Sequence, residues 1–467
     1  MNLYAVVLAA GKGTRMKSDK PKVVHEVLYK PMINHIVDEL KKLGVDETIV
    51  VVGHGAEQVK SIVDGVTFVT QEEQLGTGHA VLQAKDVLNG KEGITLVLNG
   101  DAPLIRKETL QGFIDYHKEH QNQATVMTAD CDVSTHFGRI IKENGQLTGI
   151  VEFKDLTEPY KDITEMNTGE FCFDNQALFK ALAQVKSDNA QNEYYLTDVI
   201  GILNQENMKV DSYKIDDFNE VGGINDRVAL AEATQILRDR INKEHLLNGV
   251  NIIDPANTYI GRDVVIGTDT TIEPGCILKG NTVIGSHCHI GPYCEFTNVE
   301  VKDNVEIKFS VLSDSVIESG VDIGPYARLR TNCHILENAH LGNFVEMKKA
   351  VFGKGSKASH LTYVGDAEVG SDVNLGCGTI TVNYDGKNKS LTKIGDNAFI
   401  GCNSNLVAPV NIEKNAFIAA GSTITKDVEE DAMAIARARQ VNKEGYSKVL
   451  KEIRMKEFER RNKENKG

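Results

Sequence analysis

At 467 residues the chain is long enough for two or more domains, and 41% apolar and 25% charged side chains give it the composition of a globular protein. Its net charge of −14 argues against a general nucleic-acid surface, and no apolar run is long enough to span a bilayer. The first residues run directly into an apolar strand with no charged-then-apolar leader, so no secretory signal and no membrane partner are expected, and the expected location is the cytoplasm. Eight cysteines (Cys131, Cys172, Cys276, Cys288, Cys294, Cys333, Cys377 and Cys402) contain no Cys-x-x-Cys pair. They read as reduced thiols rather than zinc ligands or disulfides. His287-Cys288-His289 hints at a metal, but its neighbours fall on a repeat that explains them better.

Tyr4 to Leu8 is an apolar run that predicts a buried first strand. It ends in small residues and then in Gly11 and Gly13, which let the backbone turn tightly and bring its N–H groups near a phosphate. Arg15 and Lys22 add positive charge close by. The spacing is neither the P-loop nor the dinucleotide fingerprint, and a Gly-x-Gly alone also fits an ordinary strand–helix turn. Met32, Ile33, Ile36, Val37, Leu40 and Leu43 predict a helix closed by Gly44. Strands are expected at Thr48 to Val52, Val66 to Val69 and Ile94 to Leu98, with a second glycine-rich turn from Gln71 to His79. Such alternation implies an α/β domain with a mostly parallel, Rossmann-like sheet whose ligands sit at the carboxyl edge of the strands. Asp101, just past the last of these strands, can hold Mg²⁺ against a triphosphate, or simply shape the turn before Ala102-Pro103.

From Val228 to Leu247 the chain is polar and helical, stopped by Asn248-Gly249. It reads either as a helix joining two domains or as the last helix of the first. After Pro255 a six-residue period sets in: Ile260, Ile266, Ile272, Leu278, Ile284, Ile290 and Phe296. It restarts three residues out of phase as Val305, Val311, Ile317, Ile323, Leu329, Ile335, Leu341 and Met347, and returns as Ile394, Ile400, Leu406, Ile412, Ile418 and Ile424. That period belongs to neither a helix nor an alternating strand and marks a parallel β-helix of hexapeptide repeats. The expected organisation is an α/β domain over 1–227, a helical linker over 228–249, the β-helix over 250–447 and a charged tail over 448–467 that starts as a helix and then frays. The phase is lost from Gly353 to Val364, and a polar insertion carrying Asn383-Tyr384-Asp385-Gly386 lies between Gly376 and Lys393. Interruptions of a solenoid map to loops on one face, often the binding face. His360 lies in the first interruption and is a candidate general base, since imidazole can take a proton near neutral pH.

The first loop with Thr14-Arg15-Met16 and Pro21-Lys22 resembles the signature of sugar-1-phosphate nucleotidyltransferases. With Gln71, Leu75-Gly76-Thr77-Gly78, Asn99-Gly100-Asp101, Phe137-Gly138-Arg139-Ile140, Val151-Glu152, Asn167-Thr168-Gly169 and Asn225, the resemblance becomes specific. It points to the bifunctional N-acetylglucosamine-1-phosphate uridyltransferase / glucosamine-1-phosphate N-acetyltransferase family. It implies that Leu8, Ala9, Ala10, Gly11, Lys22, Gln71, Gly76, Thr77, Asn99 and Gly100 contact UTP or the product. Gly138, Glu152 and Asn167 would contact the amino sugar, Asp101 and Asn225 would ligate Mg²⁺, and Arg15 and Lys22 would stabilise the reacting phosphates.

The repeats resemble the left-handed β-helix of hexapeptide acyltransferases, which implies a homotrimer. There the same resemblance places Arg330, Lys348, Tyr363 and Asn374 on glucosamine 1-phosphate with His360 as base. It places Cys377, Asn383, Tyr384, Cys402, Ala420 and Arg437 on acetyl-CoA; Cys377 and Cys402 stand where relatives often have Ala and Ser. The implied product, UDP-N-acetylglucosamine, feeds peptidoglycan and other envelope polymers in bacteria. Two other readings remain at this stage. One is a pyrophosphorylase whose β-helix only trimerises or regulates; His360, Arg330, Lys348 and the Asn383-Tyr384 insertion are features such a prism would not need. The other is a nucleotide-sugar-sensing scaffold, against which Arg15, Lys22 and Asp101 stand.

Overall fold

The computed structural model describes residues 2–130, 132–158 and 160–465. The chain forms two compact units, Met1–Thr282 and Val283–Gly467. In the first, β1 (Leu3–Ala9) is apolar on both faces and lies in the middle of a sheet. It runs parallel to β2 (Glu47–Val52), which pairs with β3 (Thr67–Thr70), and parallel to β4 (Ile94–Asn99) on its other side. Beyond these lie β5 (Ala124–Asp130), the hairpin β6 (Arg139–Glu143) and β7 (Gln146–Val151), β8 (Glu165–Asp174) and β9 (Val210–Lys214). The sheet order is β9-β5-β8-β4-β1-β2-β3; β8 runs antiparallel to both its neighbours, and the hairpin joins through β6. The sheet is therefore mixed, with its parallel part carrying the first loop at its carboxyl edge.

Each face of this sheet is covered by helices. On one, Ile33, Ile36, Val37 and Leu40 of α1 (Met32–Leu43) and Leu110, Phe113 and Ile114 of α2 (Lys107–Glu119) pack on Val50, Val52, Leu96 and Leu98. The other face buries Val6, Ile49, Val51 and Val97 under Leu178, Leu182, Val199 and Leu203. As expected, α1 stops at Gly44, whose φ of 78° favours glycine. The linker segment is α3 (Arg227–Leu247), capped by the Asp226 carboxylate, which accepts from the N–H groups of Val228 and Ala229. Arg240 donates to the Leu104 carbonyl at 2.8 Å, and the buried Asn242 amide donates to the carbonyls of Pro255 and Thr258. The helix thus belongs to the first unit and ties the α/β sheet to the first coil.

The second unit is a parallel β-helix of strands two to seven residues long. Its inward row follows the expected series, including the three-residue change of phase, except at Val305 and Val311. Val311 points outward at 45% exposure, while Leu312 is buried, and Val305 fills a corner of small residues rather than the aliphatic row. The buried row runs Phe296, Val301, Ile307, Leu312, Ile317. Three sides, Phe296 to Val301, Ile307 to Leu312 and Leu312 to Ile317, are five residues long, which produces the three-residue phase change. The supposed break from Gly353 to Val364 has the same cause. Phe352, Ala358, Val364 and Val369 continue the buried row, and the strands Lys357–His360 and Tyr363–Val369 carry His360 with no loop. A true insertion does leave the coil after Val382, pinned by a bridge between Tyr384 and Lys389.

Cys288, Cys294 and Cys333 sit buried at the small corner two residues before the aliphatic row, so the repeat accounts for the His287-Cys288-His289 hint. Cys131 lies outside the described residues; among those described no cysteine forms a disulfide, and no helix is long and apolar enough to cross a membrane. The tail forms one helix, α4 (Tyr446–Glu464), where fraying was expected.

Candidate functional sites

The first site grows from the carboxyl ends of β1 and β4. Gly100 donates to the Leu8 carbonyl at 2.9 Å, locking the two strand ends together. A cavity of about 300 Å³ opens there, lined by Leu8, Ala9, Ala10, Gly11, Lys22, Gln71, Gly76, Thr77, Asn99 and Asp101. Ten of the sequence-predicted residues, drawn from five separate segments, thus face one space. Gly76 has a φ of 110°, and a Cβ there would lie 2.6 Å from the Tyr194 carbonyl oxygen. Gln71 donates to the Gly76 carbonyl at 3.1 Å, holding that turn against β3.

A second cavity of about 840 Å³ is lined by Arg15, Glu152 and Asn225, with Phe137, Phe153, Phe218 and Ile224 as apolar walls. α3 closes it with Ala229, Ala233 and Ile236. Gly138 and Asn167 stand just behind: a Cβ on Gly138 would lie 3.4 Å from Glu152 Oε2, and the Asn167 N–H donates to the Gly138 carbonyl at 3.0 Å. Burial raises the Glu152 carboxyl above its ordinary range, against a 3.1 Å hydrogen bond from Thr197.

Asp101 lines the smaller cavity and Asn225 the larger, and one group joins them. The Lys22 ammonium donates to Asp101 Oδ2 and, at 3.0 Å, to Asn225 Oδ1. Two oxygens of hard, uncharged-or-anionic type therefore converge on one cation position, the donor chemistry that suits Mg²⁺.

Sequence reasoning missed Glu170, one residue beyond the Asn167-Thr168-Gly169 motif. It is fully buried; Oε1 accepts from Asn99 Nδ2 at 3.3 Å and Oε2 has no hydrogen-bond partner. Burial pushes its carboxyl up to about 8, with the Asp101 charge adding to the rise. It missed Gln74 too, whose amide donates to the Ala10 carbonyl at 2.6 Å.

In the second unit, stacking coils align the predicted residues in rows. Lys357, Asn374, Phe399 and Phe417 pair in register. Three residues further on, His360, Cys377, Cys402 and Ala420 therefore occupy equivalent positions; His360, Cys402 and Ala420 are exposed and Cys377 half-buried. Arg437 joins this end, since a Cβ on Gly421 would meet its Cδ at 3.6 Å. On the next side Arg330 pairs in register with Lys348, and Lys348 with Gly365. The Tyr363 hydroxyl folds over Gly365, where a Cβ would lie 2.4 Å away. The Arg330 guanidinium lies 2.9 Å from Glu346 Oε1. Lys389 of the insertion, which sequence reasoning did not single out, lies against Lys348 and holds its ammonium below the usual range. Asn383 donates to Asp366, and the Tyr384 hydroxyl to the Gly386 carbonyl at 2.6 Å, so the two acetyl-CoA candidates stand at the root of the insertion.

Residues 5–196 match the MobA-like NTP transferase domain, residues 253–357 the GMPPB C-terminal domain, and residues 391–426 the bacterial transferase hexapeptide (six repeats). Fold and matches together define a nucleotidyltransferase domain followed by a hexapeptide-repeat, left-handed β-helix transferase domain. The chain is 55% identical over 95% of its length to bifunctional protein GlmU of Geobacillus sp. (strain WCH70), covering 97% of that protein. It is 54% identical to the proteins of that name from Listeria monocytogenes serotype 4b (strain CLIP80459) and Halalkalibacterium halodurans, covering 98% of each and 96% and 95% of this chain. The chain belongs to this bifunctional GlmU family, and it is a uridyltransferase and an acetyltransferase in one polypeptide. A solved UDP-glucose pyrophosphorylase in complex with UDP-glucose overlaps 51% of the chain at 19% identity, with a TM-score of 0.41.

Proposed function

We propose that the smaller cavity of the first unit binds UTP, that the larger binds N-acetylglucosamine 1-phosphate, and that reaction occurs between them beside Lys22. The observation that carries this is the convergence of nine predicted nucleotide contacts and Asp101 on one 300 Å³ space, with Asp101 and Asn225 facing each other across Lys22 at its border. A phosphate oxygen of the sugar attacks the α-phosphorus of UTP, and pyrophosphate departs as the new P–O bond forms. Both reactants are anions, so the work of the protein is in-line positioning and charge neutralisation. Gly11 and its neighbours offer backbone N–H groups, and Arg15 and Lys22 offer fixed positive charge. Mg²⁺ held by Asp101 and Asn225 would add a divalent charge at the phosphates. Glu152 in the wall of the larger cavity, with Gly138 and Asn167 just behind it, orients the sugar.

On the prism, His360 takes a proton from the ammonium of glucosamine 1-phosphate. The free amine attacks the thioester carbonyl of acetyl-CoA, the C–S bond breaks, and the thiolate leaves to be protonated. Arg330 and Lys348 clamp the sugar phosphate with Tyr363 and Asn374 nearby. Cys377, Cys402 and Ala420 give acetyl-CoA a small-residue track running from His360 toward Arg437, flanked by Asn383 and Tyr384. On this reading uridyl transfer belongs to 1–227 and acetyl transfer to 250–447.

The prism acts as a homotrimer on this reading. Tyr293, Phe309, Tyr326 and Phe344 stack along one edge with ring centroids 5.7, 5.6 and 5.4 Å apart, and Leu361 extends the line. Such an apolar edge, exposed at Tyr293, Tyr326, Phe344 and Leu361 with Phe309 half-buried between them, suits other copies of the same chain. A reducing compartment, the cytoplasm, suits the described cysteines, which are all free thiols.

Paired variants test the assignment. Asp101→Ala is expected to abolish pyrophosphate release from UTP while leaving thiol release from acetyl-CoA intact, and His360→Ala to do the reverse. If either variant loses both activities while still folded, or neither, the two-site reading is wrong. Tyr326→Lys should yield monomers in sedimentation; an unchanged trimer would remove the aromatic edge from the interface.

A further inference from the structure

We propose that Lys22 is a resident counter-cation of the metal site, occupying the divalent-ion position until metal and nucleotide arrive, so that metal loading and release of Lys22 to the phosphates are one coupled event. The inference rests on the reading above that Asp101 and Asn225 are the metal ligands.

The acceptors are fixed and the cation between them is exchangeable. The Asp101 carbonyl accepts from the Ile224 N–H at 3.0 Å, which ties the strand end to the segment carrying Asn225. Asn225 Nδ2 donates to the Gly223 carbonyl at 3.0 Å, which turns Oδ1 toward the ammonium. The base of Lys22 is equally fixed. Gly13 packs so closely that a Cβ there would lie 2.6 Å from Lys22 Cβ, and the His25 N–H donates to the Lys22 carbonyl at 3.2 Å. Only the side chain beyond Cβ is left to move.

Lys22 and Asp101 side chains are 17% and 15% exposed, so their attraction is only partly screened by water. A Mg²⁺ ion needs its oxygens at about 2.0–2.1 Å, and an ammonium cannot share that space. A divalent ion must therefore expel Lys22. The expelled side chain already lines the cavity with Leu8, Ala9, Ala10 and Gly11. Triphosphate oxygens there would receive it, so nucleotide favours metal and metal favours nucleotide by the same factor.

The test is direct Mn²⁺ binding to the full chain without nucleotide, read from the free-ion electron paramagnetic resonance signal. Lys22→Met should bind Mn²⁺ about tenfold more tightly than the wild type, since one partly sheltered charge pair no longer competes. Lys22→Gln keeps a donor for Asp101 without the charge; it should fall between the two. Arg15→Met removes a nearby charge but leaves the Lys22 contacts in place, and should stay within about twofold of wild type. Equal affinity in wild type and Lys22→Met, or equal tightening in Arg15→Met, overturns the proposal. Adding Asp101→Ala to Lys22→Met separates the two readings. If Mn²⁺ binding survives that double change, the metal-ligand assignment itself fails. If binding is lost in the double variant while Lys22→Met alone binds no more tightly than wild type, the ligands stand and the counter-cation role falls.

Discussion

Glu170→Gln offers a quantitative check on the interior of the first unit. The Glu170 carboxyl is fully buried with Oε2 unpartnered, and burial pushes it from 4.5 to about 8. In the unfolded chain it loses its proton near 4.5, whereas the native protein keeps it until about 8. Across that window the unfolded state binds fewer protons, so native stability falls as pH rises. At roughly 1.4 kcal/mol per pH unit, the cost accumulated by pH 7 is about 3 kcal/mol, an upper bound for so buried a group. Glutamine keeps the shape and the acceptor for Asn99 but does not titrate. The stability of Glu170→Gln relative to wild type should therefore climb by about 1.4 kcal/mol per unit between pH 5 and 8 and then level off. Calorimetric melting of the α/β transition without nucleotide would show it, as a gap that widens to about 6 °C near pH 7. The slope is the diagnostic, because any fixed cost of burying an amide cancels from it. Parallel pH profiles for the two proteins would refute a neutral buried acid.

Three further outcomes are expected. Burial lowers His35 and His117 to about 4 from 6.5, so both are neutral in native and unfolded states above that value. As pH falls from 6.5 toward 4 the unfolded state takes protons the native state refuses, and stability should drop by up to about 3 kcal/mol per histidine; His117→Gln should flatten the acid limb of urea midpoints against pH. Gly169 has a φ of 90° and a Cβ there would lie 2.3 Å from Asn99 Nδ2, so Gly169→Ala should cut uridyl transfer by about tenfold or more while acetyl transfer persists, in paired assays. Chelation by EDTA should stop pyrophosphate formation and leave thiol release from acetyl-CoA unchanged, and Mg²⁺ should restore the first.

The parts of this protein that were legible in sequence are those encoded locally. The loop after β1 is announced by an apolar run ending in Gly11 and Gly13, and Asp101 by its place after β4. Where the second run of the prism begins is not legible locally, because Val311 and Leu312 are adjacent and both apolar. A six-residue rule cannot tell which faces inward, and only the coil above and below, pairing Leu312 with Phe296 and with Leu329, decides it. That same stacking placed His360 on a continuous strand, in line with Cys377 and Cys402, where a lost period had suggested a loop. Glu170 was invisible for a related reason. A carboxylate in a strand normally signals a solvent face, and the partner it meets inside, Asn99, lies 71 residues away.

Lys22 shows the same limit at the site itself. Its charge and its nearness to the glycine loop are local, so a phosphate-binding role is an expectation the sequence itself supplies. Its contacts to Asp101 and Asn225 span 79 and 203 residues. Whether a lysine lies free beside the glycine loop or pairs with a carboxylate depends on the tertiary distance between strand ends. That distance is set by the packing of β1 against β4, which no motif records. Motifs therefore name the candidate groups here, while the contacts those groups make with one another are a property of the folded sheet.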